Sequence, residues 1–259
     1  MKIITLIENT ASREDLAAEH GLSLYIETEN HRILFDAGQS AAFADNAEKL
    51  GVDLSRVDIC ILSHGHYDHG GGLKRFLEIN DTAPIYVSRH AFEGHYGSPE
   101  RYNGLDQALL SSNRIHFTAD THKIGPRLTL YSCNDREQPF SADNFGLLML
   151  DEGILKPDDF RHEQYLLVEE KGKRILFSGC SHKGILNIVH WFSPDILIGG
   201  FHFMKLEDAA ALTGAARQLA RYNTTYYTGH CTGQTQYACM KRILGEKLHA
   251  ISSGVEITI

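Results

Sequence analysis

The segment His64-Gly65-His66-Tyr67-Asp68-His69 places three imidazoles and a carboxylate within six residues, directly after the apolar run Val57 to Leu62. Imidazole nitrogens and carboxylate oxygens are good donors to divalent zinc, iron or manganese. On a loop at a strand end, His64 and His66 can project one way while Asp68 and His69 project another. One short segment can thus serve two neighbouring metal sites. A solvated turn would account for one His-x-His pair, but not for the full His-x-His-x-Asp-His pattern behind a buried strand. The run Gly70-Gly71-Gly72 is expected to turn the backbone tightly and to leave room for a substrate.

A metal needs further ligands from elsewhere in the chain. His182 follows the apolar run Arg174 to Phe177 and sits in the turn Gly179-Cys180-Ser181-His182-Lys183-Gly184. His202 follows Asp195 to Gly199, and His230 follows Thr225 to Tyr227. Three histidines after three strands suit a site at one edge of a sheet. The expected metal donors are His64, His66, Asp68, His69, His182 and His230, holding two divalent ions with zinc preferred and iron or manganese possible. Two residues carry expected catalytic roles: Asp68 orients the attacking water, and His202 polarises the substrate or protonates a leaving group.

The elements that must position these residues alternate along the whole chain. Strands are expected at 3–8, 22–28 and 32–36, followed by a helix capped by Ser40 and stopped by Gly51. After the strand Val57 to Leu62 comes a polar loop at 63–72, a short helix beginning at Leu73, and a strand at 84–88. The stretch 90–126 is less regular, is broken by Pro99, and reads as an insertion bordering the site. Strands follow at 128–132, 145–150, 165–170, 174–178, 195–199, 224–228 and 255–259, with helices at 184–192, 206–222 and 235–244. Nothing resembling a linker interrupts the alternation, so a single α/β domain over 1–259 is the simplest account.

SHGHYDHGGGL at 63–73 resembles the signature loop of the metallo-β-lactamase fold superfamily, and Leu34-Phe35-Asp36-Ala37-Gly38 resembles the strand-end aspartate upstream of it. The resemblance implies an αββα sandwich, in which two mixed β-sheets face each other, helices cover the outsides and the metals sit at one edge. Gly179-Cys180-Ser181-His182-Lys183-Gly184-Ile185, Gly199-Gly200-Phe201-His202 and Thr228-Gly229-His230-Cys231-Thr232-Gly233 are similar to the dihydropterin synthase-like branch. Members of that branch are often labelled 7,8-dihydropterin-6-yl-methyl-4-(β-D-ribofuranosyl)aminobenzene 5'-phosphate synthase. The chain departs from the superfamily pattern where Cys180 stands in place of a bridging aspartate; it could ligate a metal or be a small buried residue. Either His162 or His182 could complete the first site, and His182 is preferred.

Composition narrows the function. A net charge of -8 opposes a nucleic-acid-binding surface, and no window approaches the roughly 20 apolar residues of a membrane span. The N-terminus reads as a first strand, not a signal peptide. Five scattered cysteines with no CxxC pair fit a reducing cytoplasm better than a disulfide framework. The expected function is a metal-dependent hydrolase that activates water on a dinuclear site against an anionic small molecule, with a phosphoester as the candidate. One alternative is a transferase joining a dihydropterin to a ribosyl-aminobenzene phosphate, with Tyr96 and Tyr102 as stacking candidates. The other is a non-hydrolytic metal-binding sensor or redox protein. Oligomeric state is not legible.

Overall fold

The computed structural model describes residues 1–97 and 101–259, so Pro99 lies outside the described residues. By packing, the chain groups into two compact units. The first comprises Met1–Ala119, Gly146–Gln164 and Ser252–Ile259; the second comprises Asp120–Phe145 and Tyr165–Ile251.

The first unit is built on a seven-stranded mixed sheet. Its order is Glu256–Thr258, Lys2–Ile7, Ser23–Glu27, Arg32–Phe35, Ile59–Ile61, Ile85–Ser88, Ile115–Thr118. The first four of these strands pair antiparallel, and the last four run parallel. Ile59–Ile61 is buried along its whole length, as a strand covered on both faces requires. The helices Ala42–Lys49 and Leu73–Ile79 bury Phe43, Ala44, Ala47, Leu73 and Phe76 in the same core as Leu34, Cys60 and Val87. A smaller four-stranded sheet joins Ile154–Pro157, Leu148–Asp151, Gly94–Gly97 and Arg101–Tyr102.

The second unit repeats the plan. Its seven-stranded sheet runs Leu248–Ala250, Thr225–Thr228, Ile196–Ile198, Lys173–Phe177, Tyr165–Glu170, Leu128–Tyr131, Thr121–Gly125. The first four are parallel and the remainder antiparallel. Three helices, Ile185–Phe192, Ala209–Leu219 and Gln234–Leu244, close its core with Ile188, Val189, Leu212, Ala216, Leu219 and Met240. Asp208 caps the second of these by accepting from the backbone N–H groups of Ala210 and Ala211.

Several features depart from the sequence expectation, among them the additional strands Ile154–Pro157 and Leu248–Ala250. The loop at 63–72 contains a helical turn, Tyr67–Gly70, so Asp68 and His69 sit on helical backbone. The stretch 90–126 carries the short strands Gly94–Gly97, Arg101–Tyr102, Ile115–Thr118 and Thr121–Gly125. Gly71 and Gly72 do not open space: a Cβ there would lie 2.3 Å from Gln39 O and 2.1 Å from Ala37 O. They are glycine so that the loop can lie against the segment following Phe35. Among the described residues no helix is long and apolar enough to cross a membrane.

Gln164 ties the parallel strand ends of the first unit together. Its Nε2 donates to Leu62 O (2.7 Å) and Tyr86 O (3.2 Å), and its Oε1 accepts from Thr118 Oγ1 (2.7 Å). Its backbone N–H donates to Ser63 O (2.7 Å), immediately before the histidine loop. Truncation would leave buried carbonyls without donors, so Gln164→Ala is expected to cost about 2–4 kcal/mol. Urea unfolding would show this as a lower midpoint at unchanged slope.

Candidate metal centre

In both units the candidate donors stand just past the carboxyl ends of parallel strands, where α/β sheets place their ligands. Asp36 follows Arg32–Phe35 and Ser63-His64 follow Ile59–Ile61; Cys180 and His182 follow Lys173–Phe177, His202 follows Ile196–Ile198, and His230 follows Thr225–Thr228. Four of the residues at these turns adopt the left-handed region: Asp36 (φ 60°), Ser181 (59°), His202 (55°) and His230 (48°). Such a conformation costs a non-glycine residue about 1–3 kcal/mol and persists where surrounding structure enforces it, often at functional sites.

In the first unit the centre of the site is the fully buried Asp36 carboxylate. It accepts from Ser63 N–H (2.7 Å) and Ser63 Oγ–H (2.7 Å), and His69 Nδ1 lies 2.7 Å away. With its proton given to Asp36, Ser63 Oγ accepts from His64 Nδ1–H at 2.8 Å. His64 and His69 are therefore both held with the proton on Nδ1, leaving the Nε2 lone pair of each for a metal. A carboxylate behind a histidine is the usual way a metal ligand's tautomer and ring orientation are fixed. The ring centroids of His64 lie 4.7 Å from His66 and 4.2 Å from His69. Asp68 Oδ2 is 3.8 Å from His69 Nε2 and 3.4 Å from His20 Nε2. The four loop residues expected as donors are thus gathered within this unit, all of them buried.

Behind His66 lies a second buried group. His66, His95, Asp158 and His162 each offer a donor atom within 4.8 Å of the others. His162 Nδ1 accepts from Gly65 N–H (2.9 Å), while its Nε2 faces Asp158 Oδ2 at 3.4 Å. His95 Nδ1 faces the same oxygen at 3.1 Å. Burial alone would raise the Asp158 carboxyl, but hydrogen bonds from His162 and His95 outweigh it and hold it well below the usual carboxylate range. Burial, and then the neighbouring His162, push the His66 imidazole well below its ordinary value. His66 is accordingly neutral at pH 7, the form that can bind a metal.

The second unit carries its own donors. Cys180, His202 and Cys231 offer ligand atoms within 4.8 Å of one another. His202 N–H donates to Cys231 Sγ (3.3 Å), and the rings of His202 and His182 have centroids 4.2 Å apart. Both ring nitrogens of His202 are buried and have no hydrogen-bond partner among the described residues. Buried polar atoms are rarely left so, and an unplaced ion or ligand is one reason. The donor sets therefore fit divalent metal: buried imidazoles, a carboxylate and thiols, with tautomers fixed where the partners are visible.

Sequence reasoning missed His20, His95 and Asp158 as members of these groups. His95 lies in the irregular stretch 90–126, and its role depends on pairing with Asp158, 63 positions away. Nothing local marks His20 or Asp158. Cys231 was visible beside His230, and a small residue packed against it gives the reason: a Cβ on Gly200 would lie 2.3 Å from its sulfur.

Comparison with known proteins agrees with this geometry. A family model described as the metallo-beta-lactamase superfamily matches residues 17–230. An uncharacterized protein of Methanocaldococcus jannaschii is 32% identical over 213 residues, covering 78% of this chain and 80% of that one. From the same organism, a 7,8-dihydropterin-6-methyl-4-(beta-D-ribofuranosyl)-aminobenzene-5'-phosphate synthase is 31% identical over 263 residues, covering 90% and 88%. Among solved structures, Tm1679, described as a metal-dependent hydrolase of the beta-lactamase superfamily, superposes with a TM-score of 0.87 at 27% identity, covering 100% of this chain and 99% of that one.

Replacing Asp36 by Asn would set an amide N–H against the donors of Ser63 or His69 and release both tautomers. Asp36→Asn is expected to weaken metal binding about 10- to 100-fold. Competition against a chelating indicator would measure it.

Proposed function

The chain belongs to the metallo-beta-lactamase superfamily and has its fold, with two large mixed sheets and helices, and from that premise we propose that it is a metal-dependent hydrolase of an anionic small molecule, a phosphoester first among them. The fold implies divalent-metal binding, and the buried His/Asp groups are suited to it. The observation that carries the reading is the Asp36 carboxylate, which holds His64 and His69 in the tautomer that donates through Nε2. The proposed donors are His64, His66, Asp68, His69, His182 and His230. The proposed cargo is two divalent ions, zinc first.

Divalent ions bound there would polarise a phosphoryl or carbonyl oxygen and make water nucleophilic near neutral pH. The chain's own residues supply the rest. Asp68, next to His69 and His20, provides a carboxylate oxygen that accepts a hydrogen bond from the attacking water and fixes its direction. His202, with both ring nitrogens uncommitted, is placed to donate a proton to a leaving group. His162 supports the loop: its Nδ1 is taken by Gly65 N–H, and its Nε2 is aimed at Asp158. Cys180 and Cys231, buried beside His202, are soft donors available to the same chemistry.

The synthase relative supports a second reading, transfer of a dihydropterin group onto a ribosyl-aminobenzene phosphate. Both readings need the metal donors and differ in the acceptor, water or an arene.

Protein purified without chelator is expected to contain about two equivalents of divalent metal and to hydrolyse bis(4-nitrophenyl) phosphate. His66→Ala and His182→Ala are each expected to lower kcat/KM by more than the roughly 10- to 100-fold typical of a supporting residue. Circular dichroism would confirm that they stay folded. Full activity in either variant would remove that residue from the site. A metal-loaded protein inert to phosphoesters but active on the dihydropterin pair would favour the transferase.

A further inference from the structure

The second unit contains a cavity of about 250 Å³ that opens beside His182 and His202. Its walls are apolar and largely aromatic: Phe140, Phe145, Leu186, Phe201, Phe203 and Leu206. Among the described residues no lysine or arginine lines it, and the one charged lining residue is Asp143, a carboxylate. An anion would find no lysine or arginine to pair with there and would face a like charge at Asp143, so the cavity does not suit a phosphate. An engineered apolar cavity of about 150 Å³ accommodates a single benzene ring. This one is larger by enough to take a second fused ring.

The wall is held in place independently of any ligand. Asn187, fully buried on the helix Ile185–Phe192, accepts from Phe140 N–H (2.9 Å) and donates to Phe140 O (2.8 Å). Trp191 Nε1–H donates to Glu137 O (2.8 Å), and Lys205 Nζ donates to Phe145 O (3.2 Å). Phe145 itself is held at φ 50°, a conformation phenylalanine rarely adopts. Its ring packs edge-on against His202 with centroids 5.3 Å apart. The segment 137–145 is thus tethered at three points, which keeps an apolar pocket open at its mouth, where collapse would otherwise bury the same surface.

We propose that this cavity seats the non-reacting part of the substrate, and that this part is a flat, uncharged, aromatic ring system of about bicyclic size. The proposal deepens the functional reading above and rests on it for the placing of the reacting group, which lies at the His182 and His202 end of the cavity. Specificity then resides in the apolar end of the substrate, and the anionic group supplies only the point of reaction. Aromatic rings fill such walls by edge-to-face and offset contacts that an aliphatic chain of the same size does not reproduce.

The test uses 2-naphthol, which has the ring system and no hydrolysable group. Metal content is measured on the same samples. Saturable binding with a Kd near about 1 mM is expected for the wild-type protein. Ala211 lines the cavity from an exposed position on the helix Ala209–Leu219, so Ala211→Trp is expected to fill it without disturbing the core. Naphthol affinity should fall by about tenfold or more while metal content stays unchanged. Phe145→Ala, in the cavity wall beside His202, should weaken it as well. No saturable binding to the wild type, or binding that Ala211→Trp and Phe145→Ala both leave unaltered, would overturn the proposal. A chain that binds naphthol as described yet holds no metal would keep the pocket and overturn only the reading of the metal centre.

Discussion

The Asp36 carboxylate is the interaction on which the rest of the first unit's site depends. A buried carboxylate is expensive unless its oxygens are hydrogen-bonded, and here Ser63 N–H, Ser63 Oγ–H and His69 Nδ1 all converge on it. Those three contacts join the end of Arg32–Phe35 to the end of Ile59–Ile61 and to the helical turn Tyr67–Gly70. They also decide which nitrogens of His64 and His69 carry protons. Asp36 reaches this position because its φ of 60° turns the chain abruptly at the strand end. The loop can then return close enough for Ala37 N–H to donate to His69 O at 2.7 Å, an approach that needs glycine at 71 and 72. Backbone strain at one residue is offset by charge satisfaction, and the metal-donor geometry follows from both.

The same logic recurs in the second unit without the carboxylate. Parallel strands bring their carboxyl ends to one edge, so residues distant in sequence leave the sheet side by side. Gly199, Gly200 and their neighbours fold back sharply: Gly200 N–H donates to Gly179 O at 2.7 Å, and Phe201 N–H donates to Thr232 Oγ1 at 2.9 Å. Ser178 and Ser181 hydroxyls meet at 2.8 Å. Left-handed residues at 181, 202 and 230 let three short turns present Cys180, His182, His202 and Cys231 in a small volume.

This division explains what could be read from the sequence. The donor loop was legible because its residue types have few other uses at that density, and because Ile59–Ile61 before it is an unbroken apolar strand. The positions of His182, His202 and His230 just after strands were legible from the apolar runs before them, although only Ile196–Ile198 is buried throughout. The strands at 94–97, 101–102, 115–118 and 121–125 were not, since they are two to five residues long and partly exposed, which erases alternation. The helical turn at 67–70 was hidden because four residues carry no period. The partnership of His95, Asp158 and His162 was hidden for another reason: sheet pairing of Gly94–Gly97 with Leu148–Asp151 creates it, and no local pattern records that pairing.

The glycine run shows how a correct residue can carry an incorrect reason. Read as an opening for substrate, Gly70 to Gly72 instead allow backbone contact and packing against Leu105. The cavity proposed to seat the substrate lies elsewhere, between aromatic side chains of the second unit. That relocation changes what a ligand must look like. A glycine-lined gap beside the metal loop would suit a small polar anion bound through backbone N–H groups. A cavity walled by phenylalanines, with no lysine or arginine among the described residues that line it and with Asp143 at its border, binds through burial of apolar surface and disfavours an anion. A molecule that satisfies both the donor-rich end at His182 and His202 and this cavity must be divided the same way, polar where it reacts and aromatic where it is held.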